Sequence, residues 1–257
     1  MLIDIHAHLT DERYGGQTEN LVKGFLSDGV GLVVDSGYNV ESSKNALINA
    51  KRFDRVYCTL GIHPGNPDEY DGDFEKFLID NAVNEKVVAV GEIGLDYHYD
   101  GYDKNKQEEV FYKQMKLADG LGLPFVVHSR NASKDMCAFL KAHRNLINHG
   151  FLLHCYSESK EQAKNYLDMG AYFSFGGVIT FKNSHRDEVV GSIPITRVFG
   201  ETDAPYLTPE PNRGKTNFPG MVAYVYRKMA EIYGVDENCL QEQFAENART
   251  LFKKIKI

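Results

Sequence analysis

Short apolar segments alternate with longer mixed segments along most of this chain. Eight of them recur, each followed by turn residues and then by a stretch with helical spacing. They are Leu2–Leu9, Gly31–Gly37, Val56–His63, Val87–Leu95, Pro124–Arg130, Phe151–Ser157, Ala171–Gly177 and Arg197–Pro205. Their starts lie roughly 20 to 37 residues apart, the length of one strand plus a crossover helix. The pattern therefore predicts eight β-strands that alternate with α-helices.

The stretches between these segments carry helix signals as well. Phe111, Met115 and Ala118 have helical spacing, and Gly122 follows them where a C-terminal stop is expected. Two further helical stretches, Gly220–Tyr233 and Glu237–Ile255, close the chain. Eight alternating units favour a (β/α)8 barrel over an open doubly wound sheet, which usually has fewer strands. We therefore predict an α/β protein with one TIM-like barrel domain that spans residues 1–257.

Side chains of the types that bind metal ions end six of the eight predicted strands. They are His6 and His8 in the first strand, His63 in the third, Glu92 in the fourth, His128 in the fifth, His154 in the sixth and Asp203 in the eighth. In such barrels the active site lies at the carboxyl ends of the strands. Gathering five imidazoles and several carboxylates at one mouth would be costly without a cation. The sequence thus predicts a metal centre.

The number and type of these side chains indicate which ions the centre holds. His6 and His8 are two residues apart, so both share one face of a strand and form a rigid pair of ligands. Nitrogen and oxygen ligands suit Zn²⁺ or Mn²⁺, and Mg²⁺ where carboxylates and water dominate. The set exceeds one tetrahedral site and favours two divalent ions. Glu92 is suited to bridge them, because a carboxylate has two oxygens.

Taken singly, these residues have other interpretations. His128 and His154 follow apolar runs, where a histidine is as often a hydrogen-bonded core residue. Asp203 stands before Ala204-Pro205, where aspartate commonly caps a turn. A single metal site explains all of them together, whereas the other interpretations need several independent coincidences.

Composition and charge restrict the partners. The formal net charge is −7 and no Lys/Arg-rich block is present, which disfavours electrostatic binding to duplex DNA or to an anionic membrane. The net charge remains compatible with a small anionic substrate or with one strand end bound at a cationic metal site. The four cysteines are scattered and read as reduced thiols, no signal peptide is evident, and no apolar run reaches the length of a membrane span. We expect a cytoplasmic protein, for which the sequence leaves the oligomeric state open.

Several motifs, in order, resemble the TatD-type metal-dependent deoxyribonucleases of the amidohydrolase-like superfamily. The matching stretches run from the first strand to Phe252 and have the sequences DIHAHL, LGIHPG, VGEIGLDY, PFVVHSR, HCYS, FSFGG and ETDAPYL. Two departures are Thr10, where the family usually has aspartate, and Asn212, where it commonly has histidine. Both positions lie outside the expected ligand set.

The resemblance implies a role for each candidate residue. His6, His8, Glu92 and Asp203 would hold one metal ion, and Glu92, His128 and His154 the second. His63 would lie near the scissile phosphate, while Arg130, or the loop with Arg213 and Lys215, would hold other phosphates of the substrate. Activity on DNA, from the 3′ end of a single strand, is also implied by the family and not by any spacing in this chain.

The predicted chemistry is metal-assisted hydrolysis of a phosphodiester. Asp203 would orient or deprotonate the attacking water, and His63 and Arg130 would neutralise charge on the phosphoryl oxygens. The alternative is a cyclic amidohydrolase, a lactonase or an aminoacyl-ester hydrolase, because the same metal chemistry attacks carbonyls and fold alone does not choose. Many binuclear amidohydrolases bridge their metal ions with a carboxylated lysine on the fourth strand. The fourth strand here carries Glu92 and no lysine, which argues against that alternative. A noncatalytic metal-binding scaffold is a third hypothesis, disfavoured by the intact ligand set.

Overall fold

The computed structural model describes residues 1–257 and contains one sheet of eight parallel strands. The strands are β1 (Leu2–Ala7), β2 (Val30–Ser36), β3 (Val56–Leu60), β4 (Val87–Asp96), β5 (Phe125–Arg130), β6 (Phe151–Leu153), β7 (Ala171–Phe175) and β8 (Val198–Gly200). Each strand pairs with the next one along the chain, in the order β1 to β8. The predicted strands and the (β/α)8 architecture are confirmed.

The segment after β8 closes the barrel against β1. Ala7 and Ala204 form a parallel bridge, and the His8 amide donates to the Ala204 carbonyl oxygen at 2.7 Å. The Asp203 amide donates to the His6 carbonyl oxygen at 3.0 Å. This closure brings the first and last predicted ligand-bearing segments into contact.

Helices cover the outside of the sheet. They are α1 (Thr18–Gly24), α2 (Val40–Arg52), α3 (Gly72–Ala82), α4 (Lys104–Leu121), α5 (Ser133–Ala142), α6 (Lys160–Leu167), α7 (Asp187–Ser192), α8 (Val222–Tyr233) and α9 (Glu237–Leu251). Local chemistry sets their ends: the Asp103 carboxylate accepts from the Lys106 amide before α4, and Gly122 ends that helix with a φ of 71°. No helix combines the length and the apolar composition that crossing a bilayer requires.

A hydrophobic core of 66 buried residues lies between the sheet and the helices. Strands of a parallel barrel are covered on both faces, which explains why every residue of β1 is buried. Aromatic side chains fill much of the layer under the last helix, where Phe199 of β8 packs beside Phe244 and Phe252. The core thus holds the strand ends in fixed positions.

Six of the eight predicted strands end earlier than the sequence pattern indicated. Among them, β1, β3, β6 and β8 stop before His8, His63, His154 and Asp203, so these four side chains lie in the loops that follow. The backbone explains two of the cases: Asp203 has a φ of 53° and Cys155, next to His154, has a φ of 44°. This left-handed conformation cannot continue an extended strand. The last helix also ends at Leu251, before the predicted Ile255.

Candidate metal centre

The fold brings all six predicted metal ligands together at the carboxyl end of the barrel. Three groups have ligand atoms within 4.8 Å of one another. They are His6 with His8 and Asp203, His6 with Glu92 and His154, and His63 with Glu92 and His128. His63, expected near the substrate, is therefore also within reach of a metal ion.

Glu92 occupies the middle of this cluster, and its two oxygens face different partners. Oε1 lies 2.7 Å from Nε2 of His154 and 3.0 Å from Nδ1 of His128. Oε2 lies 3.6 Å from Nε2 of His6 and 3.8 Å from Nε2 of His8. The carboxylate thus separates two sets of imidazoles, the arrangement that a bridging ligand requires.

The backbone around Glu92 permits this close approach because glycine flanks it. A Cβ added at Gly91 would lie 2.8 Å from Cβ of Val126, and one at Gly94 would lie 2.1 Å from the His128 carbonyl oxygen. Gly94 also has a φ of 143°, which side chains rarely allow. These glycines let β4 and β5 pack closely enough for Glu92 to reach His128.

Asp203 completes the side of the cluster formed by β1. Its Oδ1 lies 3.3 Å from Nε2 of His8 and 3.8 Å from Nε2 of His6. The Asp203 side chain is slightly more exposed than the others, at 14% against 4% for Glu92. Asp203 is thus the carboxylate of the pair that faces the barrel mouth.

The donor set fits divalent cations. Nε2 of His6 is buried with no hydrogen-bond partner, although His6 stacks against His154 with ring centroids 4.0 Å apart. A buried nitrogen without a partner costs free energy. Neighbouring imidazoles cannot all be protonated, so some of their lone pairs also face one another without a proton between them. Lone pairs that converge from His6, His8, His154 and two carboxylates are what a Zn²⁺- or Mn²⁺-like ion satisfies.

The charges of these groups are strongly coupled. Burial alone would lower the pKa of His8, but the hydrogen bond to Asp203 and the charge of Glu92 raise it to about 9. Burial would raise the pKa of Glu92, but the charge of His154 and its hydrogen bonds with His128 and His154 hold it well below its ordinary value. Without a cation, the centre therefore keeps its carboxylates ionised and holds compensating protons on imidazoles.

A layer of supporting groups positions the imidazoles from behind. Ser36 of β2 contacts two of them, through its Oγ at 3.1 Å from Nδ1 of His6 and its carbonyl oxygen at 2.9 Å from Nδ1 of His8. Asp96 Oδ2 lies 2.9 Å from Nε2 of His128. The sequence placed Asp96 in a motif at the end of its strand but carried no signal for Ser36, which lies in an ordinary apolar strand.

His63 presents a ring nitrogen to the centre. The Gly65 amide donates to its Nδ1 at 2.9 Å, so Nε2 carries the proton of the neutral ring, and it lies 3.8 Å from Oε1 of Glu92. Burial and the neighbouring His128 lower the pKa of His63 to about 3. His63 is therefore a neutral hydrogen-bond donor at the mouth.

Of the three predicted phosphate-binding cations, one ends a strand and two lie on the loop that follows β8. Arg130 ends β5, Arg213 lies 4.1 Å above the ring of Phe181, and Lys215 donates from Nζ to Oδ1 of Asn212 at 3.0 Å. All three are exposed, and none forms a hydrogen bond with the metal-ligand candidates. Their role in binding substrate stays a prediction.

Comparison with known proteins places this geometry in one family. Residues 3–253 match the family model described as TatD related DNase. The uncharacterised metal-dependent hydrolase YabD of Bacillus subtilis is 37% identical over 98% of this chain and 99% of its own length. The 3'-5' ssDNA/RNA exonuclease TatD of Salmonella typhimurium is 29% identical over 99% of this chain and 100% of its own length.

A solved structure shares the architecture. The crystal structure of YJJV, a TatD homologue from Escherichia coli K12, superposes with a TM-score of 0.91 at 29% identity, and 98% of each chain is covered. The barrel, the cluster at its mouth and these relatives lead to one conclusion: the chain belongs to the family of TatD-related DNases and is a metal-dependent hydrolase.

Proposed function

We propose that this protein hydrolyses phosphodiester bonds of single-stranded DNA from the 3′ end with two divalent metal ions. His6, His8, Glu92 and Asp203 would hold one ion, and Glu92, His128 and His154 would hold the other. The observation that carries the proposal is the division of the Glu92 carboxylate, whose Oε1 faces His128 and His154 while Oε2 faces His6 and His8. One bridging carboxylate between two imidazole sets is suited to a two-metal phosphoesterase.

When bound, two divalent ions would supply Lewis acidity that lowers the pKa of a water and would neutralise charge on the attacking and leaving oxygens. Asp203 would orient the attacking water and accept its proton. Burial would raise the pKa of Asp203, but the hydrogen bond from His8 keeps it below its ordinary value, so the carboxylate is ionised near neutral pH. His63 donates its Nε2 proton to a phosphoryl oxygen as a hydrogen bond. Each of these side chains would thus stabilise charge that develops in the transition state of hydrolysis.

The substrate class rests on charge and on relatives. Arg130 at the end of β5, and Arg213 and Lys215 in the loop after β8, are exposed cations in a chain whose net charge is −7. Such cations bind phosphate groups and offer little to a neutral amide or lactone. The relative from Salmonella typhimurium is named as a 3'-5' exonuclease of ssDNA and RNA, which supports polarity and strand preference.

The test is a substrate panel with purified, metal-loaded protein. Single-stranded DNA labelled at either end, the matching RNA, duplex DNA, a cyclic amide and a lactone are compared at equal concentration. We expect progressive shortening of single-stranded DNA from its 3′ end and little turnover of the carbonyl compounds. Hydrolysis of the amide or lactone alone would replace the proposal with the amidohydrolase alternative.

A further inference from the structure

The loop that follows β4 presents an exposed aromatic side chain near the metal centre. Tyr99 is 68% exposed, more than any other tyrosine, and it lies three residues after Asp96, which contacts His128. The ring meets the His98 ring edge to face, with centroids 4.8 Å apart, and most of its surface is open to solvent. The Tyr99 ring is therefore accessible to a flat ligand, in the loop that follows Asp96.

The loop is held rigidly beneath Tyr99. Gln107 of α4 donates from Nε2 to the Asp96 carbonyl oxygen at 2.9 Å and accepts from the Asp96 amide at 3.0 Å. Tyr97 and Tyr102 stack with centroids 4.5 Å apart and planes 11° apart. The ring of Tyr99 is therefore carried on an ordered support.

Arg130 links this loop to the metal centre. Its guanidinium carbon lies 5.5 Å from the centroid of the Tyr99 ring, and its carbonyl oxygen accepts from the Tyr97 amide at 2.9 Å. Arg130 comes two residues after His128 in β5. The cation thus lies over the exposed ring, two residues along the chain from a ligand candidate of the cluster.

We infer that Tyr99 and Arg130 form a subsite for one nucleotide of a single-stranded nucleic acid, with its base stacked on Tyr99 and its phosphate bound by Arg130. The inference rests on the proposed nuclease function and deepens it. Asp100 is exposed in the same loop and would repel a phosphate, so the strand passes on the Arg130 side. Every base offers a flat face, so this subsite accepts any sequence.

The subsite is tested by combining a protein change with a substrate change. Wild type, Tyr99→Ala and Tyr99→Phe are compared with Tyr112→Ala, a control tyrosine that is 38% exposed on the outer helix α4. Substrates are a short oligothymidylate and copies that carry one abasic residue at successive positions from the 3′ end. KM and kcat are measured for each pair, and melting temperatures verify folding.

If a base stacks on Tyr99, the variants should differ in KM in a defined way. Tyr99→Ala raises KM about tenfold with kcat little changed, and Tyr99→Phe behaves as wild type because it keeps the ring. When the abasic residue occupies the subsite, the KM of wild type rises to that of Tyr99→Ala, and the KM of Tyr99→Ala does not rise further. Equal KM values for Tyr99→Ala and Tyr112→Ala, or a Tyr99→Ala defect that is the same at every abasic position, overturn the subsite.

Binding separates this inference from the proposed activity. The same variants are titrated with fluorescent oligothymidylate that carries phosphorothioate linkages, and anisotropy gives the affinity. If wild type cleaves no oligonucleotide but binds with the same abasic-dependent difference, the subsite stands and the proposed nuclease activity fails. If wild type neither cleaves nor binds the oligonucleotide, both fail.

Discussion

Nδ1 of His154 and Oε1 of Glu201 lie 3.8 Å apart, and both atoms are buried without a hydrogen-bond partner. The other Glu201 oxygen accepts from Oγ of Ser174 at 2.5 Å, so the carboxylate is fixed in place. His154 directs its Nε2 to Glu92 at the same time. Glu201 is thus placed to hold the proton on Nδ1 of His154 and leave Nε2 free for a metal ion.

Glu201→Gln should weaken metal binding. A partner behind a ligating histidine fixes its tautomer and raises its basicity, and its loss typically costs 10- to 100-fold in metal affinity. Zinc affinity is measured by competition with a chromophoric chelator. Glu188→Gln is the control, because Glu188 is 73% exposed and pairs only with Lys160. Equal affinities in the two variants would remove Glu201 from the support of His154.

Glu92→Ala should abolish hydrolysis while the barrel still folds. The change removes the carboxylate shared by both imidazole sets, and we expect a loss of more than about 10³-fold in kcat. Steady-state kinetics and circular dichroism give activity and fold, and metal analysis gives the number of bound ions. A variant with full activity would eliminate Glu92 from the mechanism.

Removal of metal should lower thermal stability. Ions that bind only the folded state add about 2.7 kcal/mol at a hundredfold excess over Kd, which corresponds to a shift of roughly 5 to 10 °C in a chain of this size. Melting temperatures are compared with zinc and with a chelator. His6→Ala should show a much smaller shift, whereas His185→Ala, an exposed histidine on the loop before α7, should keep the full one. An equal response in all three proteins would place the stabilising ions elsewhere.

Asp35 of β2 should make stability fall as pH rises. Burial raises the pKa of this carboxyl to about 6, although it accepts from the Asn49 side chain and the Leu9 amide, each at 2.9 Å. The folded protein therefore binds the proton more tightly than the unfolded chain, whose carboxyl has an ordinary pKa of 3.8. As the pH rises through these two pKa values, the free energy of unfolding therefore falls by roughly 3 kcal/mol.

Asp35→Asn removes this dependence. Relative to wild type, its free energy of unfolding should rise by up to roughly 3 kcal/mol as the pH increases from about 4 to about 7. Urea unfolding in the presence of a chelator measures the difference at each pH. Asp54→Asn is the control, because Asp54 is exposed in the turn before β3. A difference between Asp35→Asn and wild type that does not change with pH would contradict this assignment.

Arg213→Ala should weaken binding of single-stranded DNA and make it less sensitive to salt. Each phosphate contact that is lost removes a released counterion, so the slope of log affinity against log salt falls by about 0.7. Arg227→Ala is a matched control, since Arg227 also lies over an aromatic ring, Tyr224 at 5.8 Å, but on the outer helix α8. If the salt dependence of binding has the same slope in both variants, Arg213 does not contact a phosphate of the substrate.

The sequence determined the order of elements and most of the candidate centre. Apolar segments at regular spacing predicted the eight strands, because burial on both faces leaves a continuous apolar run. Strand ends carry the polar exceptions, so His6, Glu92 and His128 lie in strands as predicted, and His8 follows directly after β1. The two closing helices also follow from local periodicity.

Only the tertiary structure decided how these groups meet. Barrel closure and strand register bring Glu92 between His128 and His6, a relationship across strands that no local spacing encodes. Left-handed backbone shortened the last strand before Asp203, and packing placed Glu201 behind His154. A periodic pattern specifies which face a side chain takes within its own element, whereas distances between elements depend on how the whole core packs.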